Sequence, residues 1–326
     1  MHALSEFTLR RPASLAEAAA LLASEPGARL VAGGTDLVPN LRRGLERPPV
    51  LIDLSALTGF SAVEAATDGS VMLGAGVTLA ALTTNATVAS LLPALADAAR
   101  AAAGPGHRSA ATLGGNLCQD TRCVFYNQSE WWRASNDYCL KRGGTICHVA
   151  PQGERCHAAF SGDLAPVLLA LGAEVELQSA RGVRWLPLAQ LYRDDGAAHM
   201  TLERDELLAR VRVPAAAPGV VCGYEKARVR GSLDFPLAAV AVALALRQGV
   251  IVSLQIGISG TNSHPLLLAG TAELVGHPVD DALLSRVGKL VQQQVSPMRS
   301  TATPSNYRRQ VAAATTKRLL NKLAGA

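Results

Sequence analysis

The sequence has no stretch of about 18 consecutive uncharged apolar residues, the length that an apolar helix needs to cross a bilayer. We therefore expect no membrane span, although 49% of the 326 residues are hydrophobic. The N-terminal segment carries acidic residues early and has no apolar core followed by a cleavage site, so we expect no signal peptide. These absences predict a cytoplasmic protein, in which cysteine thiols stay reduced and disulfide staples are not expected.

Long basic runs are also missing, although the formal net charge is +5. Lysine and arginine occur in short pairs such as Arg10-Arg11 and Arg42-Arg43. Nucleic-acid binding surfaces usually concentrate such residues along one helix or one face. We therefore predict a solvated surface and no nucleic-acid partner.

Two common nucleotide-binding motifs are absent. No GxxxxGK[ST] phosphate loop occurs, and Gly74-Ala75-Gly76 begins like a dinucleotide fingerprint but has Leu79 where glycine is required. The strand–helix–strand context of such a fingerprint is missing too. A Rossmann-type NAD site is therefore excluded.

Cysteine is scarce but concentrated. Four of the six cysteines, Cys123, Cys139, Cys147 and Cys156, fall within 34 residues at steps of 16, 8 and 9. The same segment holds 5 of the chain's 13 aromatic residues. Thiolates surrounded by large apolar side chains are typical of a soft metal centre. The pattern predicts a local metal module, and we favour an iron–sulfur cluster.

The alternative metal is structural zinc. Zinc sites tend to use cysteines paired at C-x₂₋₄-C spacing, which this segment lacks. His148 and His157 each follow a cysteine, so a mixed cysteine and histidine zinc site stays open. We expect Cys118 to be a small buried residue, and we expect Trp131 and Trp132 to pack over the metal centre and exclude water.

Two double-glycine turns precede the cysteines. Gly33-Gly34-Thr35-Asp36 lies between a short strand and a helix, and the second turn spans residues 112–116. Glycine lets backbone N–H groups approach a phosphate, and the following helix start adds its positive dipole end. Together the two turns predict a large phosphate-bearing cofactor held between two subdomains.

Other patterns outline the remaining elements. A capping box at Ser14 and Glu17 opens a helix, and the apolar residues after Asp163 predict another, with proline in its first turn. Residues 214–219 resemble a linker. Beyond it we predict three strands, at 221–228, 237–246 and 250–259. Two helices follow, at 280–294 and 306–323.

Several of these motifs together resemble one family. The segments are Leu30-Val-Ala-Gly-Gly-Thr-Asp-Leu37, Thr112-Leu-Gly-Gly-Asn116, Asp163 before an apolar helix, Glu206-Leu-Leu208, and Tyr224-Glu-Lys226 followed by Asp234-Phe-Pro236. Their order is similar to that of the FAD-binding medium subunits of molybdenum hydroxylases, the group of xanthine dehydrogenase and carbon monoxide dehydrogenase. The resemblance covers essentially the whole chain.

The resemblance implies an α+β protein with a two-subdomain FAD-binding fold of the vanillyl-alcohol-oxidase/PCMH type and a C-terminal three-stranded sheet with helices. The implied domains are 1–58, 59–215 with an insertion at about 119–160, and 216–326 of the CO dehydrogenase flavoprotein type. The implied FAD-binding residues are Leu30, Val31, Ala32, Gly33, Gly34, Thr35, Asp36, Leu37, Ala102, Thr112, Leu113, Gly114, Gly115, Asn116, Asp163, Leu208 and Lys226. No catalytic residue is implied on this chain.

The cysteine segment is an insertion relative to most of the family. Its sequences NQSEWWR, CLKRGG and CHVAPQGERCHAAFSGDLAP are similar to those of the 4-hydroxybenzoyl-CoA reductase branch. That likeness implies a [4Fe-4S] cluster bound by Cys123, Cys139, Cys147 and Cys156.

The same likeness implies an electron-transfer subunit that receives electrons from ferredoxin at the cluster and passes them through FAD. It also implies a large molybdopterin subunit with the substrate site, a small subunit with two [2Fe-2S] clusters, and a dimer of heterotrimers. An oxidising molybdenum hydroxylase with a structural metal in the insertion is the second hypothesis. A non-redox binding protein on the same scaffold is the third.

Overall fold

Three separate β-sheets follow one another along the chain in the computed structural model, which describes residues 4–231, 233–299 and 301–325. The first sheet consists of β1 (Thr8–Arg10), β2 (Arg29–Val31) and β3 (Val50–Asp53). All of its pairings are parallel, in the order β1-β3-β2. Parallel neighbours need crossover connections, and helices supply them here.

The second sheet is antiparallel and has five strands in the order β4-β5-β8-β6-β7. Its strands are β4 (Val63–Ala65), β5 (Val71–Gly74), β6 (Glu174–Ser179), β7 (Gly182–Pro187) and β8 (Leu207–Val213). Strands β5 and β6 are almost 100 residues apart in sequence. The segment between them carries the second double-glycine turn and the cysteines.

The third sheet is antiparallel and consists of β9 (Val220–Ala227), β10 (Ala238–Arg247), β11 (Val250–Ser259) and β12 (Leu266–Leu267). The sequence predicts three of these strands, and the two-residue β12 is too short to show a periodic pattern. Successive residues of β10 enter different cores. Ala241 and Ala243 join the main core, whereas Val240, Val242 and Leu244 join the C-terminal core. This alternation explains the unbroken apolar run of β10.

Eleven α-helices lie in the described residues. They are α1 (Leu15–Ser24), α2 (Leu37–Arg42), α3 (Leu79–Thr84), α4 (Ala86–Leu91), α5 (Pro93–Ala101), α6 (Pro105–Arg108), α7 (Leu113–Leu117), α8 (Glu130–Ala134), α9 (Ala165–Ala170), α10 (Asp281–Gln294) and α11 (Ser305–Ala324). The Ser14 side chain accepts a hydrogen bond from the Glu17 N–H at 3.1 Å and caps α1. No helix in the described ranges is long and apolar enough to cross a membrane.

The cysteine segment forms a small core of its own. Cys123, Tyr126, Cys156 and Ala158 pack there against Leu45, which follows α2. At the base of the segment, Arg122 and Ala159 exchange two backbone hydrogen bonds of 2.8 Å. The segment is therefore a closed loop that rests on the first part of the chain.

The mixed helix and sheet architecture confirms the predicted α+β fold class. The predicted domain boundaries at 58/59 and 215/216 stay a prediction. The outer ends of that prediction, residues 1 and 326, lie outside the described residues.

Candidate functional site

A cavity of about 490 Å³ opens beside the first double-glycine turn. Its volume lies within the usual range of small-molecule and cofactor sites. The predicted FAD-binding residues in its wall are Leu30, Val31, Ala32, Gly33, Gly34, Thr35, Asp36, Leu37, Thr112, Gly114, Gly115 and Leu208. The fold thus brings both turns to one cavity, as the sequence predicts.

Each turn packs closely against another part of the backbone, and the first turn meets the residues just before the second. A Cβ atom at Gly33 would lie 1.8 Å from the carbonyl oxygen of Ala110, which is too close for any side chain. A Cβ at Gly114 would meet the Ala75 Cβ at 2.8 Å. Gly34 adopts φ +68°, in the left-handed region that favours glycine. Glycine is therefore required at these positions for close approach and for the turn.

The two turns differ in their free backbone donors. In the second turn, the N–H groups of Leu113 and Gly114 donate at 2.8 Å to the carbonyls of Val77 and Ala75. The Gly115 N–H donates to Thr112 Oγ1 at 3.1 Å. In the first turn, none of the hydrogen bonds within the described residues uses the N–H of Gly33, Gly34 or Thr35. The first turn therefore offers the unpaired donors that a phosphate requires.

Asp36 is held at the mouth of the cavity by two partners. Its carboxylate forms an ion pair with Arg122 and accepts the Asp120 N–H at 2.9 Å. Asp36 makes no side-chain capping bond to α2. Asp120 also lines the cavity, and Arg122 lies at the base of the cysteine loop. Neither residue is predicted from the sequence, because tertiary packing brings Asp120 to the cavity and Arg122 to Asp36.

Glu206 and His199 supply further polar groups to the cavity wall. Glu206 accepts two hydrogen bonds from Arg184, at 2.6 and 2.7 Å, which lower its pKa below the ordinary value. Burial lowers the pKa of His199 to about 4, so its imidazole is neutral near pH 7. Its Nε2 lies 3.1 Å from the Gln119 carbonyl oxygen, an acceptor that fixes the proton on Nε2.

Asp163 and Lys226 do not line this cavity; they form a buried ion pair of 3.0 Å. The Tyr224 hydroxyl donates to Asp163 at 2.8 Å, and the Lys226 ammonium also donates to the Ala101 carbonyl at 3.2 Å. Burial raises the pKa of Asp163, and the Lys226 charge opposes that rise. The pair joins β9 to the end of α5 and the start of α9.

The other predicted FAD-binding residues lie behind the cavity wall. Ala102 and Leu113 are buried in the main core. The Asn116 side chain accepts the Leu164 N–H at 3.1 Å. Their predicted roles toward FAD stay predictions.

The four predicted cysteine ligands line a second, smaller cavity. Its wall is otherwise mostly apolar, with Phe125, Tyr126, Leu140, Val149 and Ala158, together with Lys141 and His148. Cys123, Cys147 and Cys156 are buried, and Cys139 is partly exposed. All six cysteines are free thiols. Cys118 lines the larger cavity instead, so the structure places it apart from the four.

Polar groups are directed at these sulfurs. Burial raises the pKa of Cys156 to about 12. Two groups oppose this rise in pKa: Lys141 and the Ala158 N–H, which donates to the Cys156 sulfur at 3.4 Å. Burial also raises the pKa of Cys123, against hydrogen bonds from the N–H groups of Phe125 and Tyr126. Backbone amides directed at sulfur stabilise thiolates, which are the form that binds metals.

The cysteine cavity does not form a closed site for a single ion. Throughout the ranges that the structure describes, no three histidine, cysteine, aspartate or glutamate side chains are grouped so that they could hold one metal ion. His148 lines the cavity, but its Nε2 lies 2.6 Å from the Tyr138 carbonyl oxygen. The four cysteines instead line one cavity without being grouped around a single point.

The expected position of the tryptophans over this cavity is wrong for Trp131, which is 77% exposed. Trp132 is partly buried and contacts Phe125, with 6.1 Å between ring centroids. Adjacent residues of the short helix α8 point in different directions, so only one of them can face the cavity. The sequence pair alone does not tell which one.

Helix α2 connects the two cavities. Leu37 at its start lines the large cavity, and Leu45, just after its end, packs in the core of the cysteine loop. Six helical residues span about 9 Å. A side-chain contact also bridges the cavities, because Lys141 in the cysteine loop donates to Asp120 at 2.5 Å. Two sites that could each hold a cofactor therefore lie close together.

A phosphate-accepting turn beside a large cavity defines a cofactor-binding protein, and comparison with known proteins identifies the cofactor. The family model described as "FAD binding domain in molybdopterin dehydrogenase" matches residues 5–216. A second model, "CO dehydrogenase flavoprotein C-terminal domain", matches residues 223–323. The chain belongs to this family, the FAD-binding subunits of molybdenum hydroxylases.

Individual relatives agree with this assignment over nearly the whole chain. The "Xanthine dehydrogenase FAD-binding subunit" of Escherichia coli is 26% identical over 97% of this chain and 95% of that protein. The "Carbon monoxide dehydrogenase medium chain" of Afipia carboxidovorans is 28% identical over 97% of this chain and 96% of that protein. A solved structure, "Reconstituted CO dehydrogenase from Oligotropha carboxidovorans", gives a TM-score of 0.82 at 26% identity and 99% coverage of both chains.

Proposed function

We propose that this chain is the flavin and iron–sulfur electron-transfer subunit of a molybdenum-dependent 4-hydroxybenzoyl-CoA reductase. The observation that carries the proposal is the cavity lined by Cys123, Cys139, Cys147 and Cys156, close to the FAD cavity. Membership of the oxidoreductase family accounts for the flavin site. It does not account for four buried or half-buried thiols gathered in one loop.

The FAD site fits its cofactor at the first turn. The unpaired N–H groups of Gly33, Gly34 and Thr35 would bind the phosphates, and Gly33 keeps the backbone close to the second turn. When bound, FAD supplies a centre that accepts electrons singly or in pairs. Neutral His199 and the paired carboxylate of Glu206 line the same cavity and would supply polar groups to the cofactor.

The proposal of a four-iron cluster is supported by the four thiols that line the cysteine cavity. Such a cluster takes four cysteine thiolates, and each thiolate binds a different iron, so the sulfurs surround a volume. The apolar wall limits access of water, and the backbone amides near Cys123 and Cys156 stabilise thiolates there. When bound, the cluster supplies a one-electron carrier.

The proposed reaction removes the phenolic hydroxyl of 4-hydroxybenzoyl-CoA as water, with two electrons and two protons, and gives benzoyl-CoA. Reduced ferredoxin is the proposed donor. The substrate and molybdenum are proposed to lie on a large partner subunit, and two [2Fe-2S] clusters on a small one, in a dimer of heterotrimers. A cytoplasmic location is part of the same proposal.

The second candidate is the FAD subunit of an oxidising molybdenum hydroxylase, with a structural metal in the cysteine loop. The names of the relatives favour this candidate, because they are a xanthine dehydrogenase subunit and a carbon monoxide dehydrogenase subunit. The cysteine cavity favours the reductase. The two candidates differ in the metal of the loop and in the substrate of the complex.

The test is anaerobic purification with any co-purifying subunits, followed by iron, sulfide, zinc and flavin analysis. The reductase proposal expects about eight iron and eight sulfide per heterotrimer, about four of each from this chain and about four from the two proposed [2Fe-2S] clusters, and ferredoxin-dependent or dithionite-dependent conversion of 4-hydroxybenzoyl-CoA. Zinc in the loop, or oxidation of a purine or carbon monoxide by the complex, supports the second candidate instead.

A variant links the metal to the cysteines. Cys139→Ser is expected to abolish the cluster signal and to leave most of the FAD bound, because Cys139 lines only the smaller cavity. Cys222→Ser is the matched control, since Cys222 lies on β9 away from both cavities. Equal loss of iron in the two variants would contradict the assigned ligands.

A further inference from the structure

Lys141 is a buried cation in the wall of the cysteine cavity. Its side chain is 6% exposed. Among the described residues that line this cavity, Lys141 is the only lysine, arginine, aspartate or glutamate. Burying an ammonium group is costly unless it is paired and hydrogen-bonded.

The partners of Lys141 fix the ammonium group between the two cavities. The ammonium donates to Asp120 Oδ1 at 2.5 Å and to the Thr121 carbonyl at 3.2 Å, and it also donates to the Thr121 hydroxyl. It lies 4.6 Å from the centre of the Tyr126 ring, a cation–π contact. Asp120 belongs to the wall of the FAD cavity, and Tyr126 belongs to that of the cysteine cavity.

The contacts on the Asp120 side continue to the flavin turn. The Asp120 N–H donates to Asp36, and Asp36 is paired with Arg122. Asp36 is part of the first double-glycine turn. The negative charge of Asp120 therefore lies on the flavin side of Lys141, and the positive charge of Lys141 lies on the cysteine side.

We propose that Lys141 raises the reduction potential of the centre bound by the four cysteines. The inference rests on the proposed function, in that it requires a redox-active cluster. Reduction adds one electron to a centre whose four thiolates already make it anionic. A fixed cation in a cavity with few other polar groups stabilises the added negative charge.

The test is an anaerobic redox titration of the purified complex with dithionite, followed by the EPR signal of the reduced cluster. Lys141→Met is expected to lower the potential by an amount equivalent to at least a tenfold weaker electron affinity, about 59 mV for a one-electron couple. Lys141→Arg keeps the charge and is expected to retain most of the wild-type potential. An unchanged potential in Lys141→Met overturns the inference.

Arg155→Gln is the matched charge control. Arg155 is also a cation next to a cysteine in sequence, but its side chain is paired with Asp194 at 2.6 Å and does not line the cavity. Its substitution is expected to shift the potential much less than Lys141→Met. Equal shifts would overturn the inference, because they would show that any charge in the loop has the same effect.

A second variant covers the case in which the single variant does not fold. Lys141→Met leaves Asp120 without its cation, so Lys141→Met combined with Asp120→Asn removes both charges. The potential is still expected to fall, because Lys141 lines the cysteine cavity and Asp120 does not. A potential that rises or stays unchanged in the folded double variant overturns the inference.

Failure of the inference and failure of the proposed function give different results. A cluster with an unshifted potential rejects only the role of Lys141. Zinc in wild-type protein purified without oxygen rejects the cluster itself, and the role of Lys141 with it.

Discussion

Lys226 and Asp163 form an ion pair inside the protein, with 3.0 Å between Nζ and Oδ1 and side chains that are 3% and 8% exposed. Lys226 lies on β9 in the third sheet, and Asp163 lies just before α9. The Tyr224 hydroxyl donates a further hydrogen bond to Asp163 at 2.8 Å. The pair therefore fixes the third sheet against the part of the chain that carries the FAD cavity.

Lys226→Met is expected to lower the free energy of unfolding by about 3–5 kcal/mol, because it leaves the Asp163 carboxylate buried without a cation. The double variant Lys226→Met/Asp163→Leu is expected to recover most of this loss, since it removes both charges. The measurement is urea unfolding followed by circular dichroism. Arg212→Met is the control, because the Arg212–Glu174 pair is exposed and such pairs contribute about 1 kcal/mol or less. Equal losses in the two single variants would contradict this interpretation.

Gly33→Ala is expected to lower both stability and flavin content. The new methyl group would lie 1.8 Å from the Ala110 carbonyl oxygen, so the first turn must move away from the segment that precedes the second turn. Overpacking of this kind costs about 1–3 kcal/mol, and the movement displaces the turn that is proposed to bind the FAD phosphates. Flavin absorbance of the purified protein and its unfolding midpoint measure the two effects.

Gly106→Ala is the matched control for Gly33→Ala. No atom lies within 4 Å of a Cβ built at Gly106, and its φ is not positive. Its flavin content and stability are expected to match those of the wild type. Full flavin binding in Gly33→Ala would show that the backbone contact between the turns is not required.

Sequence patterns predicted the helices and strands whose ends are set by residues close together in the chain. Ser14 caps α1 as its spacing with Glu17 indicates, and β11 runs from Val250 to Ser259 as the apolar alternation predicts. The alanine-rich run from residue 91 to 103 predicts one helix, and the structure has α5 over Pro93–Ala101, because Leu92 has a non-helical backbone. Proline at the first helical position explains that start.

The site could be predicted only where its residues are adjacent in sequence. The residues of the first turn line the cavity together because they form one continuous segment. Asp120, Arg122 and His199 reach the site through tertiary contacts that no periodicity records. The sequence also could not predict that the second turn has its N–H groups paired while the first does not. The carbonyls of Ala75 and Val77, which accept those N–H groups, lie more than 35 residues earlier in the chain.

Glu206 gives the protein a specific dependence of stability on pH. Its hydrogen bonds from Arg184 lower its folded-state pKa below the ordinary value of 4.5. A lowered pKa means that the carboxylate stabilises the fold above pH 4.5 and that this contribution is lost as the pH falls through the folded-state pKa. Glu206→Gln is therefore expected to cost about 1.5–3 kcal/mol at pH 7.

Denaturant unfolding of wild type and Glu206→Gln at several pH values measures this dependence. The difference between the two proteins is expected to stay constant from pH 7 to about pH 4.5 and to shrink as the pH falls further, through the folded-state pKa. Glu174→Gln on β6 is the control, since its carboxylate pairs with Arg212 at the surface. A constant difference at all pH values would show that Glu206 acts through packing alone.

The adjacent tryptophans should respond differently to truncation. Trp131 is 77% exposed, so Trp131→Ala is expected to change the free energy of unfolding by less than about 0.5 kcal/mol. Trp132 contacts Phe125, a wall residue of the cysteine cavity, so Trp132→Ala is expected to destabilise the loop by about 1–3 kcal/mol. Because that loss loosens the cavity wall, the proposed metal centre should also be lost faster from Trp132→Ala when a chelator is added. If Trp131→Ala lost metal equally fast, Trp131 would have to cover the cavity in the assembled protein, since it does not do so in the isolated chain.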